Sequence, residues 1–173
     1  MSDLIVSADA PGAVLGWAQL GTQKFRCALG RGGIVAKKRE GDGSTPTGSF
    51  ALRRLYVRTD KGGTPTSPVP ISIIAPDDGW CDAPDHADYN RPVTLPFAAS
   101  HEKMWRDDHL YDLVLVIGHN DDPPIPYLGS AVFIHLARPD YCPTEGCIAF
   151  AREDLETILG LLEPADKVVV TRP

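Results

Sequence analysis

The chain has 173 residues, of which 43% are hydrophobic and 23% charged, and its formal net charge is -6 at pH 7. This length suits one sizeable core, and the composition is that of an ordinary globular protein, which excludes a disordered chain. No run of Lys and Arg is interleaved with aromatic residues, which excludes the pattern of a nucleic-acid-binding surface. We therefore predict one domain over residues 1–173 with no nucleic-acid partner.

The first half of the chain contains short apolar runs that are separated by turns. Strands are predicted at residues 4–6, 14–20 and 24–29, the last two joined as a hairpin through Gly21 and Thr22. A glycine-rich loop follows and ends in Thr45-Pro-Thr-Gly-Ser-Phe50, which leads into a strand at 49–57. This loop is a turn and also a candidate binding element. Basic residues dominate positions 24–58 and could attract an anionic ligand, although a solvated strand face is the alternative.

The second half mixes one long irregular segment with the strongest strand signals. Residues 76–109 show little periodicity but contain enough aromatic mass to pack, so we predict a long loop that forms the wall of a cleft. Further strands are predicted at 71–75, 111–118, 131–136 and 167–171, and apolar residues at helical spacing predict a helix at 152–162. Sixteen Gly and sixteen Pro favour a mainly β fold with many turns.

The candidate catalytic residues are His135 and Cys147. His135 lies at the end of an apolar strand, where its ring can face a cleft, and Cys147 follows the turn Thr144-Glu-Gly. A base near the sulfur would raise the fraction of thiolate, which is the form that attacks carbonyls. Gly146 has no side chain, so a substrate carbonyl could approach the backbone N–H groups beside the sulfur.

Several neighbours have more than one interpretation. His119 follows the predicted strand at 111–118 and could orient His135, contact a substrate or cap a turn. The hydroxyl of Thr144 is expected to bond the backbone of its own turn and could also contact a substrate. Glu145 would raise the pKa of Cys147 unless it points away or pairs with a cation.

The motifs as a set resemble the YkuD family of L,D-transpeptidase catalytic domains, also called the ErfK/YbiS/YcfS/YnhG family. The resemblance rests on Thr45 to Phe50, on Ile134-His135 and on Thr144-Glu-Gly-Cys147, in that order along most of the chain. It implies a β sandwich of mixed sheets with one or two short helices. It also implies that His135 is the base, that Cys147 is the nucleophile and that no cofactor or metal is needed.

By the same resemblance, the chain is a peptidoglycan L,D-transpeptidase of the bacterial cell wall. The resemblance implies peptidoglycan stem peptides as partners, acylation by carbapenems, and a place in the cell envelope or periplasm. Arg138 would receive a stem carboxylate, although an ion pair with Asp140 is the alternative. Many members have Ser-His-Gly-Cys and a small polar residue after the histidine, whereas this chain has Glu145 before Gly146 and Leu136 after His135. These differences indicate a divergent branch.

Three alternatives remain open on the sequence. The same Cys/His pair could pass the acyl group to water, as an L,D-carboxypeptidase or another peptidoglycan hydrolase. A zinc-binding module could use His119, His135, Cys142 and Cys147, although their spacing is weak support. The chain could also bind peptidoglycan without catalysis. The N-terminus shows no secretory signal and no apolar run is as long as a membrane span, so we expect a soluble chain.

Overall fold

The computed structural model describes residues 2–173, and most of its regular structure is β-strand. The strands are β1 (Leu4–Ala8), β2 (Leu15–Leu20), β3 (Gln23–Ala28), β4 (Ile34–Val35), β5 (Thr45–Pro46), β6 (Gly48–Val57), β7 (Ile71–Ile73), β8 (Asp78–Cys81), β9 (Pro92–Thr94), β10 (His101–Lys103), β11 (Leu113–Ile117), β12 (Phe133–Leu136), β13 (Ile148–Phe150) and β14 (Lys167–Thr171). The described helices are α1 (Arg152–Leu161) and a short 3-10 turn (Thr59–Lys61).

Nine strands form one sheet in the order β11-β12-β13-β3-β2-β1-β14-β6-β7. Strand β6 also pairs with β11, so the sheet closes on itself. The pairs β1–β14, β12–β13 and β6–β7 are parallel and the other pairs in this sheet are antiparallel. The prediction of a mainly β fold with mixed pairing and one or two short helices is confirmed. The two layers expected of a sandwich are opposite walls of this closed sheet.

Strands β11 and β12 are buried on both faces, which explains their continuous apolar sequences. Leu113, Leu115 and Ile117 point into the main core, where the buried face of α1 also packs, whereas Val114 and Val116 point away from it. The outward residues join a second apolar cluster that contains Trp80, Met104, Tyr111, Phe133 and Cys147. Because successive strand residues alternate between faces, the outer face of β12 carries Phe133 and also His135.

The segment 76–109 differs from the predicted loop, because it contains a three-stranded antiparallel sheet in the order β10-β8-β9. Each of these strands has only three or four residues, which is too short for an alternating pattern to stand out in the sequence. Strand β13 also has only three residues, and the sequence did not predict it for the same reason. The other predicted strands and the helix are present, with ends that differ by a few residues. No helix between residues 2 and 173 is long and apolar enough to cross a membrane.

Candidate active site

A cavity of about 440 Å³ opens at the outer face of β12 and β13. Its lining includes His135 and Cys147, together with side chains from the segment 76–109 and from the loop before β5. The lining residues that carry charge are Lys38, Glu40, Asp82, Glu102, Arg106, Arg138 and Glu145. This volume suits a small organic ligand or a short peptide, and the lining is unusually polar for such a site.

The parallel pairing of β12 with β13 brings His135 and Cys147 to one place. Ile134 is opposite Ile148 and His135 is opposite Ala149, so the residue before β13, Cys147, lies beside Phe133. Residues two apart on a strand share a face. His135 and Cys147 therefore lie on the same face of adjacent strands and line the same cavity.

His135 is held in a defined tautomer by the backbone that follows it. Its Nδ1 lies 2.9 Å from the carbonyl oxygen of Leu136, which can only accept, so Nδ1 carries the proton. In the neutral ring Nε2 then has a free lone pair and can act as a base. Burial lowers the pKa of His135 to about 4, which keeps the ring neutral at physiological pH. The ring of Tyr111 packs edge-on against it, with the centroids 5.3 Å apart.

The thiol of Cys147 is buried and bonded to the chain on the β12 side. The Phe133 N–H donates to Sγ over 3.3 Å, and the S–H donates to the carbonyl of Ala131 over 3.2 Å. Burial, followed by the negative charge of Glu102, raises the pKa of this thiol to about 12. The resting site therefore contains a neutral thiol and a neutral imidazole.

The turn before Cys147 is tied to strand β5 through Thr45. The Thr144 hydroxyl accepts from the Gly146 N–H over 3.1 Å and donates to the carbonyl of Cys147 over 2.6 Å, as expected for a hydroxyl that bonds its own turn. In this conformation the Gly146 N–H is thus already engaged. The buried Thr45 hydroxyl donates to the Gly146 carbonyl over 3.0 Å and accepts from the Gly30 N–H over 2.9 Å. Gly146 has a φ of 132°, which disfavours a larger residue.

The segment 76–109 adds acidic groups that the sequence did not single out. Glu102 accepts a hydrogen bond from the Tyr111 hydroxyl over 2.7 Å, and burial raises the pKa of its carboxyl. Asp82 also lines the cavity, and its Oδ1 is buried without a hydrogen-bond partner among the described residues. The sequence is rich in Asp and Glu between positions 77 and 122, but this richness does not indicate which carboxylates face a cleft.

Arg138 lines the cavity but pairs with a different residue from the one considered in the sequence. Its Nη2 lies 3.7 Å from Asp108 Oδ2, whereas Asp140 accepts a hydrogen bond from the Cys142 N–H. The alternative of an Arg138–Asp140 pair is therefore wrong. Arg106 also holds Asp108, through two hydrogen bonds of 2.8 Å, and these lower the pKa of that carboxyl to about 2.

His119 does not join the cavity that contains Cys147. Its Nε2 lies 3.1 Å from the carbonyl oxygen of Leu128, its ring packs edge-on against Phe50, and it lines two other cavities. Among residues 2–173, no three His, Cys, Asp or Glu side chains converge as metal ligands, so the zinc-binding alternative finds no support in the geometry. Cys142 is a free thiol that lines the cavity with Cys147.

Glu145 points toward solvent and pairs with Arg31 over 2.8 Å, with 80% of its side chain exposed. The sequence left open whether this carboxylate acts on the thiol, and its exposure together with the pairing argues that it does not. The acid that acts on Cys147 is Glu102.

Comparison with known proteins gives a family match and one solved structure. The family model described as YkuD, L,D-transpeptidase catalytic domain, matches residues 9–170. The crystal structure of Mycobacterium tuberculosis L,D-transpeptidase 1 is similar at 15% identity and a TM-score of 0.39, over 99% of this chain and 63% of that chain. This chain thus spans less than two thirds of that protein. None of the curated proteins that were compared with the chain matches it in sequence.

Proposed function

The chain belongs to the YkuD family of L,D-transpeptidase catalytic domains, and from this premise we propose that it is a cysteine acyltransferase acting on the peptide stems of bacterial peptidoglycan. One observation carries the proposal. The β12–β13 pairing sets His135 and Cys147 on the same face of adjacent strands, in a cavity that can admit a peptide. A base and a thiol so placed are the two groups that acyl transfer through a thioester requires.

The first half of the reaction consumes the donor stem. His135 Nε2 takes the proton from Cys147 as the sulfur attacks the carbonyl of the third stem residue. The tetrahedral intermediate then collapses, the C–N bond to the terminal D-amino acid breaks, and the imidazolium returns its proton to the leaving amine. Because both resting groups are neutral, proton transfer accompanies attack. The thiol must first release the Ala131 carbonyl and turn toward the imidazole.

The second half returns the sulfur to its resting state. An amine of an acceptor stem attacks the thioester carbonyl, and His135 takes the proton that the amine loses as the new amide forms. The C–S bond breaks and Cys147 leaves as a thiolate, which takes the proton back from His135. With water in place of the amine, the same steps give a trimmed stem. Transfer in preference to hydrolysis therefore requires that the amine reach the thioester before water does.

The distribution of charge in the cavity supports a substrate with both ammonium and carboxylate groups. Asp82 and Glu102 contribute negative charge from the segment 76–109, while Arg106 and Arg138 contribute positive charge near Asp108. Peptidoglycan stems with a diamino acid carry both kinds of group. A ligand ammonium would pair with the buried, unpartnered Oδ1 of Asp82, and a stem carboxylate would pair with Arg138.

The test is incubation of the purified protein with a disaccharide tetrapeptide, followed by mass analysis of the products. We expect a cross-linked dimer from the wild type and none from Cys147→Ala. Cys142→Ala is the matched control, because Cys142 lines the same cavity but has no role in the proposed reaction. Formation of dimer by Cys147→Ala would overturn the proposal.

The same assay separates the remaining alternatives. A trimmed tripeptide without dimer would assign an L,D-carboxypeptidase, and unchanged substrate together with tight binding would assign a binding domain. A carbapenem provides a second probe, since we expect its mass to be added to the wild type and to Cys142→Ala but not to Cys147→Ala. With such a substrate, the place of action is the bacterial cell envelope.

A further inference from the structure

Lys38 places a buried ammonium group against the turn that presents Cys147. Only 7% of its side chain is exposed, and it lines the cavity that contains His135 and Cys147. Its Nζ lies 3.4 Å from the position that a Cβ on Gly146 would occupy. A Cβ on Gly129 would lie 3.0 Å from Cγ and 3.1 Å from Cε of Lys38. The side chain thus passes Gly129 and ends beside the residue that precedes the nucleophile.

The loop that carries Lys38 holds the ammonium in this place. Asp42 pairs with Lys38 through Oδ1, and the same carboxylate accepts from the N–H groups of Arg39 and Ser44, each over 2.8 Å. An ammonium has three donors, and Asp42 takes one of them. Burying a lysine costs free energy unless its charge is paired or hydrogen-bonded. Among residues 2–173, Asp42 is the one hydrogen-bond partner of Lys38 Nζ, which leaves donors of Lys38 available to the cavity.

Apart from the Phe133 N–H, whose hydrogen bond lowers the pKa of the thiol, the other groups that face the sulfur do not favour an anion there. Glu102 from β10 brings negative charge, Tyr111 is neutral, and burial keeps His135 neutral. The Phe133 N–H donates to the sulfur, and the Gly146 N–H is bonded to Thr144. Arg106 and Arg138 also line the cavity but pair with Asp108, whereas the positive charge of Lys38 lowers the pKa of the thiol against the effect of Glu102.

We infer that Lys38 is a positioning residue for acyl transfer, whose buried ammonium behind Gly146 stabilises the anion that forms at Cys147 when the thiol loses its proton. This gives a chemical role to the loop before Thr45, which the sequence alone assigns as a turn or a binding element. The inference rests on the proposed role of Cys147 as nucleophile. Its test needs no peptide substrate, so its failure can be told apart from failure of the proposed function.

The test is the rate of alkylation of Cys147 by iodoacetamide between pH 7 and pH 10, followed by peptide mass spectrometry. Lys38→Met keeps an unbranched side chain, one atom shorter, and removes its charge. We expect alkylation at pH 8 to slow about tenfold, which corresponds to a thiol pKa that is higher by about one unit. Lys38→Arg keeps the charge and is expected to remain within about threefold of the wild type, a change of less than half a pKa unit. Cys142 in the same samples is the internal reference, and its rate should not change.

A second pair of variants removes the concern that Lys38→Met leaves Asp42 without a partner. Asp42→Asn alone is compared with Lys38→Met/Asp42→Asn, in which both members of the pair are neutral. We expect the double variant to be alkylated about tenfold more slowly than Asp42→Asn, again about one pKa unit. Equal rates at Cys147 in both comparisons, with thermal unfolding showing folded proteins, would overturn the inference. If Cys147 is alkylated more slowly in the Lys38→Met proteins but the wild type forms no cross-linked dimer, the role of Lys38 at the thiol stands. The transferase function is then rejected.

Discussion

The backbone N–H of Phe133 donates a hydrogen bond to the sulfur of Cys147 over 3.3 Å. Strand β12 therefore holds the thiol through Phe133 and presents the candidate base two residues later, at His135. A shift of one residue in the β12–β13 register would place these two groups on opposite faces. The placement of the candidate catalytic pair thus depends on sheet register.

The first prediction concerns the protonation of the resting pair. The pKa of Cys147 is raised to about 12 and that of His135 is lowered to about 4, so the thiol and the imidazole are both neutral between these values. The rate of iodoacetamide alkylation at Cys147 should rise about tenfold per pH unit from pH 6 to pH 10, because only the thiolate reacts. A plateau reached by pH 7 would indicate a preformed thiolate–imidazolium pair and would contradict this prediction.

The second prediction concerns stability in acid. The folded pKa of His135, about 4, lies below its ordinary value of 6.5, so the unfolded chain binds more protons between these values. The contribution of His135 is in place above pH 6.5, and about 3 kcal/mol is lost as the pH falls to 4. Denaturant unfolding from pH 7.5 to pH 4 measures this loss.

The matched protein for that experiment is His135→Gln. Its free energy of unfolding should fall less over the same pH range, because the titrating group is absent. Glu102 acts in the opposite direction, since burial raises its carboxyl pKa and its contribution weakens as the pH rises. The difference between wild type and variant isolates the histidine. Parallel curves for the two proteins would show that His135 is not buried as a neutral ring.

The third prediction concerns Thr45, whose hydroxyl joins the loop before β6 to the turn before Cys147. Thr45→Val keeps the shape but leaves the Gly30 N–H and the Gly146 carbonyl without their partner. Two buried groups left unsatisfied should lower the free energy of unfolding by about 3 kcal/mol. Thr47→Val, two residues along the chain, is the control and should cost under about 0.5 kcal/mol. Equal losses in urea unfolding would refute the role of the Thr45 hydroxyl.

The sequence associates Glu145 with the thiol, whereas the structure associates Glu102 with it. The fourth prediction distinguishes these two acids. Glu102→Gln removes the negative charge that raises the pKa of Cys147, and its amide can still accept from Tyr111. Alkylation of Cys147 at pH 8 should become about threefold faster or more, equivalent to a pKa lower by at least about half a unit. Glu145→Gln should leave the rate unchanged, because Glu145 is exposed and paired with Arg31. The reverse pattern would show that Glu145 is the acid that faces the sulfur.

Much of the fold and the two candidate catalytic residues could be predicted from the order of the amino acids alone. The apolar runs of β11 and β12 predict buried strands because burial on both faces requires consecutive apolar residues. The helix α1 follows from helical spacing of its apolar residues. His135 and Cys147 stand out because a strand end and a glycine turn present side chains to a cleft, and because their motifs resemble those of one family.

The other groups that surround the sulfur could be identified only from the folded arrangement of the chain. Glu102 and Lys38 come from short strands and loops that lack a periodic pattern, and which charged residues of such segments face inward depends on the packing of distant parts of the chain. His119 and Glu145 lie near the candidate catalytic residues in sequence, yet His119 lines other cavities and Glu145 is mostly exposed and paired with Arg31. Local sequence specifies the face of a strand on which a side chain lies. The charge around a thiol depends on residues from several elements, which become neighbours only when the chain folds.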